Sequence, residues 1–394
     1  MSVSLAAPPL TDLEIAAGIA LGETAGPERA DDAASSSTRA GAGARRALEE
    51  LARRLLAEGP VTVSFSGGRD SSAVLALTTA VAQREGLPPP VPVTFRFAGV
   101  AATHESEWQE LVVSHLGLTD WVRLDLDDEL DLLGNAATDC LEAHGLLWPP
   151  NTYLHVPLFR AAAGTTLLTG LDGDGLFGEW RWCHAQSVLH GRAPFGWRDL
   201  ARIGLAVSPA AVRRLDLARR GIPVPDWLTP DAAHAFRSAV MARLAAEPRR
   251  WDVRLRWYAR TRALQLATHN LERVGLRHSV RVLHPFFEPE VLRALAYEGG
   301  AAGFGDRTAA LRHLFGDLLP AAVIERRSKA VFGGVVWHES SRRFARDWDG
   351  AGCDDALVVP ERLRAAWLAE VPWFASWTML HAAWLATRAG SACS

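Results

Sequence analysis

The sequence contains no uninterrupted apolar run of about 20 residues, the length that a membrane-spanning helix needs. Its first residues also lack the basic stretch and apolar core that mark a secretory signal. The 394 residues are 48% hydrophobic and 22% charged with a net charge of −3, which is typical of a globular protein and gives no reason to expect nucleic-acid binding. We therefore expect a cytoplasmic protein with neither a membrane nor a nucleic-acid partner.

Cysteine is scarce. The four cysteines lie far apart, without C-x-x-C spacing or a nearby pair of histidines, and they are Cys140, Cys183, Cys353 and Cys393. This spacing is not that of a zinc site or a redox pair. We expect four reduced thiols, as is usual in the cytoplasm.

A Gly-Lys-Ser/Thr sequence after a strand is missing as well, which excludes a Walker A phosphate loop. A loop of a different kind lies between a predicted strand and a predicted helix. Val61, Val63 and Phe65 predict a strand, and the apolar residues of 73–80 predict a helix. Between them lies the segment Ser66-Gly67-Gly68-Arg69-Asp70-Ser71-Ser72.

This segment has the composition of an anion site. Gly67 and Gly68 permit backbone conformations and a close approach that a Cβ would block. Unpaired amides at the start of the helix face outward and favour a phosphate. The hydroxyls that would join them belong to Ser66, Ser71 and Ser72. Asp70 has the wrong charge for phosphate itself and suits a magnesium ion that bridges phosphate oxygens.

The same residues, Ser66 to Ser71, resemble the SGGxDS signature of the PP-loop ATP pyrophosphatases. Those enzymes cleave ATP between its α and β phosphates and transfer AMP to a substrate. An ordinary strand–helix turn, with glycine used only for tightness, is the alternative. The strand context, the paired glycines, the aspartate and the serines together favour the nucleotide loop.

A second glycine-rich turn follows about 100 residues later, and it reads Thr169-Gly170-Leu171-Asp172-Gly173-Asp174-Gly175-Leu176-Phe177-Gly178. It resembles the SGxGxDELFxG segment of asparagine synthetases and their relatives. The resemblance implies that Gly170 contacts the nucleotide and that Asp174 binds metal and pyrophosphate. Asp70 and Asp174 would then hold Mg²⁺ between them. A structural Asp/Gly turn is the alternative.

Further segments resemble the same family over residues 41–385. They are His104-Glu105-Ser106, Pro225-Asp226-Trp227-Leu228, His284-Pro285-Phe286-Phe287-Glu288, and Leu318-Leu319-Pro320 followed by Arg326-Arg327-Ser328-Lys329-Ala330-Val331-Phe332. The resemblance implies a catalytic role for Lys329, which would stabilise the charge on departing pyrophosphate. The alternative is an exposed lysine in a basic loop.

In this second turn, two glutamates of the family pattern are replaced. Leu171 replaces a glutamate linked to the ammonia nucleophile, and Gly175 replaces a second glutamate. Because leucine cannot accept a proton, we do not expect asparagine synthesis, and a general base must come from elsewhere. Asp172 and Glu272 are the candidates, although both could be structural.

The order of predicted elements indicates the domain organisation. Strands alternate with helices over residues 44–180, which predicts an α/β fold with a Rossmann-like parallel sheet and helices on both faces, of the adenine nucleotide α-hydrolase (PP-loop) type. We predict a partly disordered N-terminal arm over residues 1–40, a PP-loop ATP-binding core over 41–184, and a mainly helical remainder over 185–394.

The resemblance implies an enzyme that uses ATP and Mg²⁺ to adenylate a carboxylate and then passes the acyl group to an amine. Only 65 residues precede Ser66, which leaves no room for the family's glutaminase domain. The amine would therefore be taken directly, come from free ammonia, or come from a separate partner protein. Lasso-peptide macrolactam cyclases and β-lactam synthetases are relatives that lack glutamine chemistry. We therefore expect an amide or lactam synthetase of specialised metabolism that acts on small-molecule or peptide substrates. The alternative is a catalytically impaired nucleotide-binding subunit of a biosynthetic complex.

Overall fold

A central parallel sheet organises the protein. The computed structural model describes residues 9–24, 43–97, 105–178, 180–197, 199–328 and 333–392. The strands in this part of the chain are β1 Val61–Ser64, β2 Val91–Phe97, β3 Val122–Leu126, β4 Thr166–Thr169 and β5 Arg281–Leu283. They form one sheet in the order β3-β2-β1-β4-β5, and every neighbouring pair is parallel. The strand order reverses between β1 and β4, which is where open α/β sheets bind ligands.

Helices connect and surround these strands. Those before residue 190 are α1 Asp12–Ala17, α2 Ala44–Glu58, α3 Arg69–Glu85, α4 Ser106–His115, α5 Asn135–His144, α6 Val156–Ala161, α7 Gly173–Phe177 and α8 Cys183–Leu189. Those after it are α9 Asp199–Val207, α10 Ala210–Arg220, α11 Pro230–Ala246, α12 Trp251–Ala259, α13 Arg262–Arg277, α14 Pro289–Gly299, α15 Arg307–Phe315, α16 Ala321–Glu325, α17 Glu339–Asp347, α18 Pro360–Trp367 and α19 Ala375–Ala392. Single 3₁₀ turns cover Thr152–His155, Pro285–Phe287, Gly300–Ala302 and Gly333–Val335.

Both faces of the sheet are covered, as the sequence predicts. Consecutive residues of β4 point to opposite faces, so Leu167 packs into one hydrophobic cluster and Leu168 into the other. The Leu168 cluster includes Leu55 of α2 and Leu75 of α3. The Leu167 cluster includes Phe159 of α6 and extends into the C-terminal helices. Residues 43–392 therefore confirm the predicted α/β architecture with its helical C-terminal part.

The strand β1 and the alternation of strands with helices over residues 44–180 are predicted from the sequence, whereas β5 is not. This strand has three residues, of which Arg281 is exposed, so it shows no alternating apolar pattern. It follows α13 closely and pairs with β4, where Val282 lies opposite Leu167. The mainly helical remainder thus contributes one strand to the sheet.

Residues 9–24 pack against the rest of the protein. Glu14 is buried and forms an ion pair with Arg262 of α13. The indole of Trp227 donates a hydrogen bond to the backbone oxygen of Ala16 at 2.8 Å. Residues 1–8 and 25–42 lie outside the described residues, so the predicted disorder of the N-terminal arm stays a prediction. Within the part of the chain that the structure describes, no helix is long and apolar enough to cross a membrane.

Candidate active site

The first loop of the site leaves the carboxyl end of β1 and is held by its own hydroxyl groups. The Ser66 and Ser71 hydroxyls lie 3.2 Å apart, and the Gly68 amide donates to Ser66 Oγ at 3.3 Å. Ser71 Oγ in turn donates to the Gly68 carbonyl at 3.1 Å. Gly67 has φ +81°, and a Cβ there would lie 2.8 Å from Gln109 Cγ. The glycine is therefore required both for its backbone conformation and for space.

The second loop leaves β4 and packs directly on the first. A Cβ at Gly170 would lie 2.6 Å from the Ser71 amide nitrogen, and one at Gly173 would lie 2.5 Å from Asp70 Cγ. Distances this short leave no room for any side chain. Gly173 thus has a role that the sequence does not reveal, since it lets the two loops touch.

This contact places the predicted metal ligands in one pocket of about 410 Å³. Asp70 and Asp174 both line it. The Asp70 carboxylate is almost fully buried and forms an ion pair with Arg307 at the start of α15. Burial raises the pKa of Asp70, Arg307 opposes that effect, and the charge of Asp174 adds to it.

The donor set fits Mg²⁺. Within the described residues, Asp70 Oδ1 is buried without a hydrogen-bond partner. A buried carboxylate oxygen without a partner beside a second carboxylate is a costly arrangement that a divalent cation with oxygen ligands would relieve. Asp70 and Asp174 are the residues that would hold the ion, although the structure does not test this role.

The other predicted ligands of the first loop differ in whether they face the pocket. Ser66, Gly68 and Ser71 line the pocket, as does Gly170 of the second loop. The Ser72 hydroxyl is fully buried, and the described residues give it no partner. It therefore faces the interior rather than the pocket, and its role as a ligand stays a prediction.

Asp172 takes an unusual conformation. It has φ 52° and ψ 26°, the left-handed region, at the position where the resembling segment has glycine. Its Oδ2 accepts a hydrogen bond from the Tyr258 hydroxyl at 2.5 Å. Burial, followed by the charge of Asp172, raises the pKa of Tyr258 well above its usual range, so the hydroxyl keeps its proton.

Gly175 makes room for this bond. A Cβ at Gly175 would lie 2.1 Å from the Tyr258 hydroxyl oxygen. The guanidinium of Arg254 covers the Tyr258 ring at 5.0 Å and donates to the Gly175 carbonyl at 3.0 Å. The glutamate that Gly175 replaces is thus incompatible with the position of Tyr258.

Glu272, the other candidate base, lies on α13 and is partly buried. Its neighbour Leu271 lines the pocket, whereas Glu272 is not among the lining residues. Burial raises the pKa of Glu272, and the charge of Glu288 raises it further. Its predicted role as a general base stays a prediction.

Lys329 lies outside the described residues, but the segment that leads to it is well defined. Both terminal nitrogens of the Arg326 guanidinium donate to the Glu105 carboxylate, and this pair is buried. Arg326 also donates to the Gly67 carbonyl at 3.1 Å and covers the Trp108 ring at 4.8 Å. These contacts tie residues 326–328 to the first loop at the mouth of the pocket.

Several residues of the site carry no sequence signal of their own. Arg307, Tyr258 and His155 are single residues in ordinary helical segments, and only the fold brings them to the two loops. Glu105 and Arg326 stand 221 positions apart in the chain. The family resemblance points to the segments that contain these two residues, but it does not reveal that the residues pair.

A parallel sheet with two interlocked glycine-rich loops at its switch point defines an α/β nucleotide-binding protein. The family model that describes asparagine synthase matches residues 43–385. The chain therefore belongs to the asparagine synthase family and is an ATP-dependent ligase of the asparagine synthetase type. None of the curated proteins with which it was compared gives a significant match.

Proposed function

We propose that this protein is an AMP-forming carboxylate–amine ligase. It adenylates a substrate carboxylate with release of pyrophosphate, and the activated acyl group then forms an amide with an amine. The observation that carries the proposal is the contact of Gly170 and Gly173 with Asp70 and Ser71, which places Asp70 and Asp174 in one pocket.

The first half-reaction needs groups that neutralise a polyphosphate. A magnesium ion bound to Asp70 and Asp174 would supply Lewis-acid stabilisation of the phosphate oxygens. Arg69, Arg307 and Arg327 line the same pocket, and we propose that their guanidinium groups bind the phosphates. Arg307 binds Oδ2 of Asp70, which leaves Oδ1 for the ion.

The second half-reaction takes place where Leu171 replaces a glutamate. Leu171 and Leu271 both line the pocket and give it an apolar surface. Such a surface fits a substituted amine or the folded chain of a larger substrate better than free ammonia. We propose amide or lactam formation on a small molecule or peptide in specialised metabolism, with separate biosynthetic proteins as possible sources of the substrate. Holding both reacting groups of one molecule together would supply much of the rate enhancement.

ATP–pyrophosphate exchange with Mg²⁺ tests the first half-reaction. Wild type is compared with Asp70→Ala and Lys329→Ala across pooled carboxylates and peptides from the native producer, with Asp120→Ala as an exposed control. We expect substrate-dependent exchange in the wild type and control, and its loss in Asp70→Ala. Measurable ATP binding without exchange in any pool would favour the alternative, a non-catalytic nucleotide-binding subunit.

Lys329 permits a second test because it is the single lysine of the sequence. Reductive methylation would modify only this side chain and the chain terminus. If Lys329 approaches the polyphosphate, ATP with Mg²⁺ will protect it from modification. Equal modification with and without ATP would favour the exposed-lysine alternative.

A further inference from the structure

One histidine lines the pocket that also contains Leu171, the residue that stands where the family has a glutamate. His155 ends the 3₁₀ turn Thr152–His155, and it lines the pocket together with Leu171 and Leu271. Among the described residues that line this pocket, it is the one histidine.

The acidic side chains that line the pocket are engaged elsewhere. Asp70 pairs with Arg307, Glu105 pairs with Arg326, and Asp172 accepts the Tyr258 hydroxyl. Asp174 has interactions of its own and is the second proposed magnesium ligand. Glu105 and Asp172 would have to give up their bonds to Arg326 and Tyr258 before they could take a proton.

The surroundings of His155 define its tautomer. Its Nδ1 lies 3.2 Å from the carbonyl oxygen of Thr152. Because a carbonyl oxygen only accepts, Nδ1 carries the hydrogen, and in a neutral imidazole Nε2 is then the acceptor. Thr152 is itself fixed, since its hydroxyl donates to the Pro149 carbonyl at 2.7 Å. The ring stacks on Phe159, with centroids 6.0 Å apart.

We propose that His155 is the general base of the amide-forming step. As the amine nitrogen bonds to the acyl carbon, Nε2 accepts the proton that the nitrogen loses. The bond between the acyl carbon and the phosphate oxygen breaks, and AMP leaves with its electron pair. The histidine thus takes over the task for which Leu171 is chemically unsuited. This inference rests on the proposed ligase function.

The charge state of the ring agrees with this role. Burial lowers the pKa of His155, so the ring is neutral at pH 7, as a base must be. His155 interacts electrostatically with His284, whose Nδ1 lies 2.7 Å from Thr169 Oγ1 and whose pKa burial lowers to about 3. The other titratable or charged groups on its own and the adjoining helices are Asp139, Cys140, Glu142, His144, Tyr153, Arg160, Arg262, His269, Glu272, Arg273, Arg277 and His278.

His155→Asn separates the hydrogen bond that Nδ1 donates from the proton acceptance that we assign to Nε2. The asparagine amide can still donate to the Thr152 carbonyl, but it cannot accept a proton at the place of Nε2. His278→Gln is the matched control, because His278 also stacks on Phe159 but is not among the residues that line the pocket. Thermal unfolding curves show whether the wild type and each variant are folded. If His155→Asn is not folded, His155→Gln is tested in its place.

Two activities are then compared with a carboxylate that supports exchange in the wild type. We expect ATP–pyrophosphate exchange by His155→Asn to stay within about threefold of wild type, while amide formation with methylamine falls about 10²–10⁴-fold. Hydroxylamine, which is largely unprotonated at neutral pH, should still be converted to a hydroxamate. Undiminished amide formation with methylamine would overturn the role of His155 but not the proposed ligase function. Absence of exchange in the wild type would overturn the proposed function and this inference with it.

The tautomer can be measured without any substrate. In ¹⁵N-histidine-labelled protein, the resonances that disappear in His155→Asn belong to His155. We expect them to show a neutral ring with hydrogen on Nδ1 at pH 7. A ring that is protonated at pH 7, or that carries its hydrogen on Nε2, would overturn the proposal.

Discussion

The Tyr258 hydroxyl donates a hydrogen bond to the Asp172 carboxylate at 2.5 Å, in space that exists because residue 175 is glycine. The replacement of the family's glutamate by Gly175 therefore changes the packing of this loop as well as its charge. A tyrosine from α12 takes the space that the replaced glutamate would need.

Gly175→Glu should therefore destabilise the protein. The new Cβ would lie 2.1 Å from the Tyr258 hydroxyl oxygen, and overpacking of this kind costs about 1–3 kcal/mol. Free energies of unfolding in urea measure the effect. Combining Gly175→Glu with Tyr258→Ala should cost less than the sum of the single changes, while Tyr297→Ala at an exposed site should leave the cost unchanged. A stable Gly175→Glu variant with Tyr258 in place would contradict the argument.

Gly173→Ala should separate the two loops. Its Cβ would lie 2.5 Å from Asp70 Cγ, so the loops must move apart and the two carboxylates with them. We expect at least tenfold weaker binding of ATP with Mg²⁺ by calorimetry. Gly204→Ala is the control, because a Cβ there meets nothing within 4 Å and its helix should gain up to about 1 kcal/mol. Equal ATP affinity in the two variants would refute the requirement for close approach.

Glu105→Ala should be costly because it leaves the Arg326 guanidinium buried without its carboxylate. The side chains are 8% and 5% exposed, and breaking a buried pair costs about 3–5 kcal/mol. Arg326→Met with Glu105→Ala should cost clearly less than the two single changes added together. The exposed pair of Arg388 and Glu142 provides the comparison, and Arg388→Ala should cost at most about 1 kcal/mol. Additive effects at Arg326 and Glu105 would show that the two residues are not coupled.

The Glu14 carboxylate should make stability depend on pH in acid. Burial alone would raise its pKa, but hydrogen bonds from Arg262, Thr11 and Leu21 lower it below the usual 4.5. A carboxylate whose pKa is lowered in the folded protein stabilises it above the usual value, and that contribution disappears as the pH falls through the lowered pKa.

We therefore expect Glu14→Gln to cost about 1.5–3 kcal/mol at pH 7, the contribution of hydrogen bonds to a charged group. The difference from wild type should shrink as the pH falls below 4.5. Unfolding in urea at a series of pH values measures this difference. Glu361→Gln, at an exposed position in the first turn of α18, should show little effect at any pH. A constant difference between wild type and Glu14→Gln would contradict the assigned linkage.

Much of the fold can be predicted from the sequence because its signals are local. Strands such as Val61–Ser64 and helices such as Ala44–Glu58 show the apolar spacing of their own type. The two glycine-rich turns can also be recognised from the local sequence, since each lies between a strand and a helix. The strand Arg281–Leu283 has no such signal, because it is short and is defined by pairing with β4.

The sequence by itself determined the α/β class and the two loops with their carboxylates and glycines. Only the tertiary structure decided which residues meet there, namely Arg307 on Asp70, Arg326 on Glu105 and Tyr258 on Asp172, and that His155 lines the same pocket. The physical reason is that local patterns depend on neighbours along the chain, whereas contacts between side chains 80 to more than 200 positions apart depend on how strands and helices pack. No property of an isolated segment records such a contact.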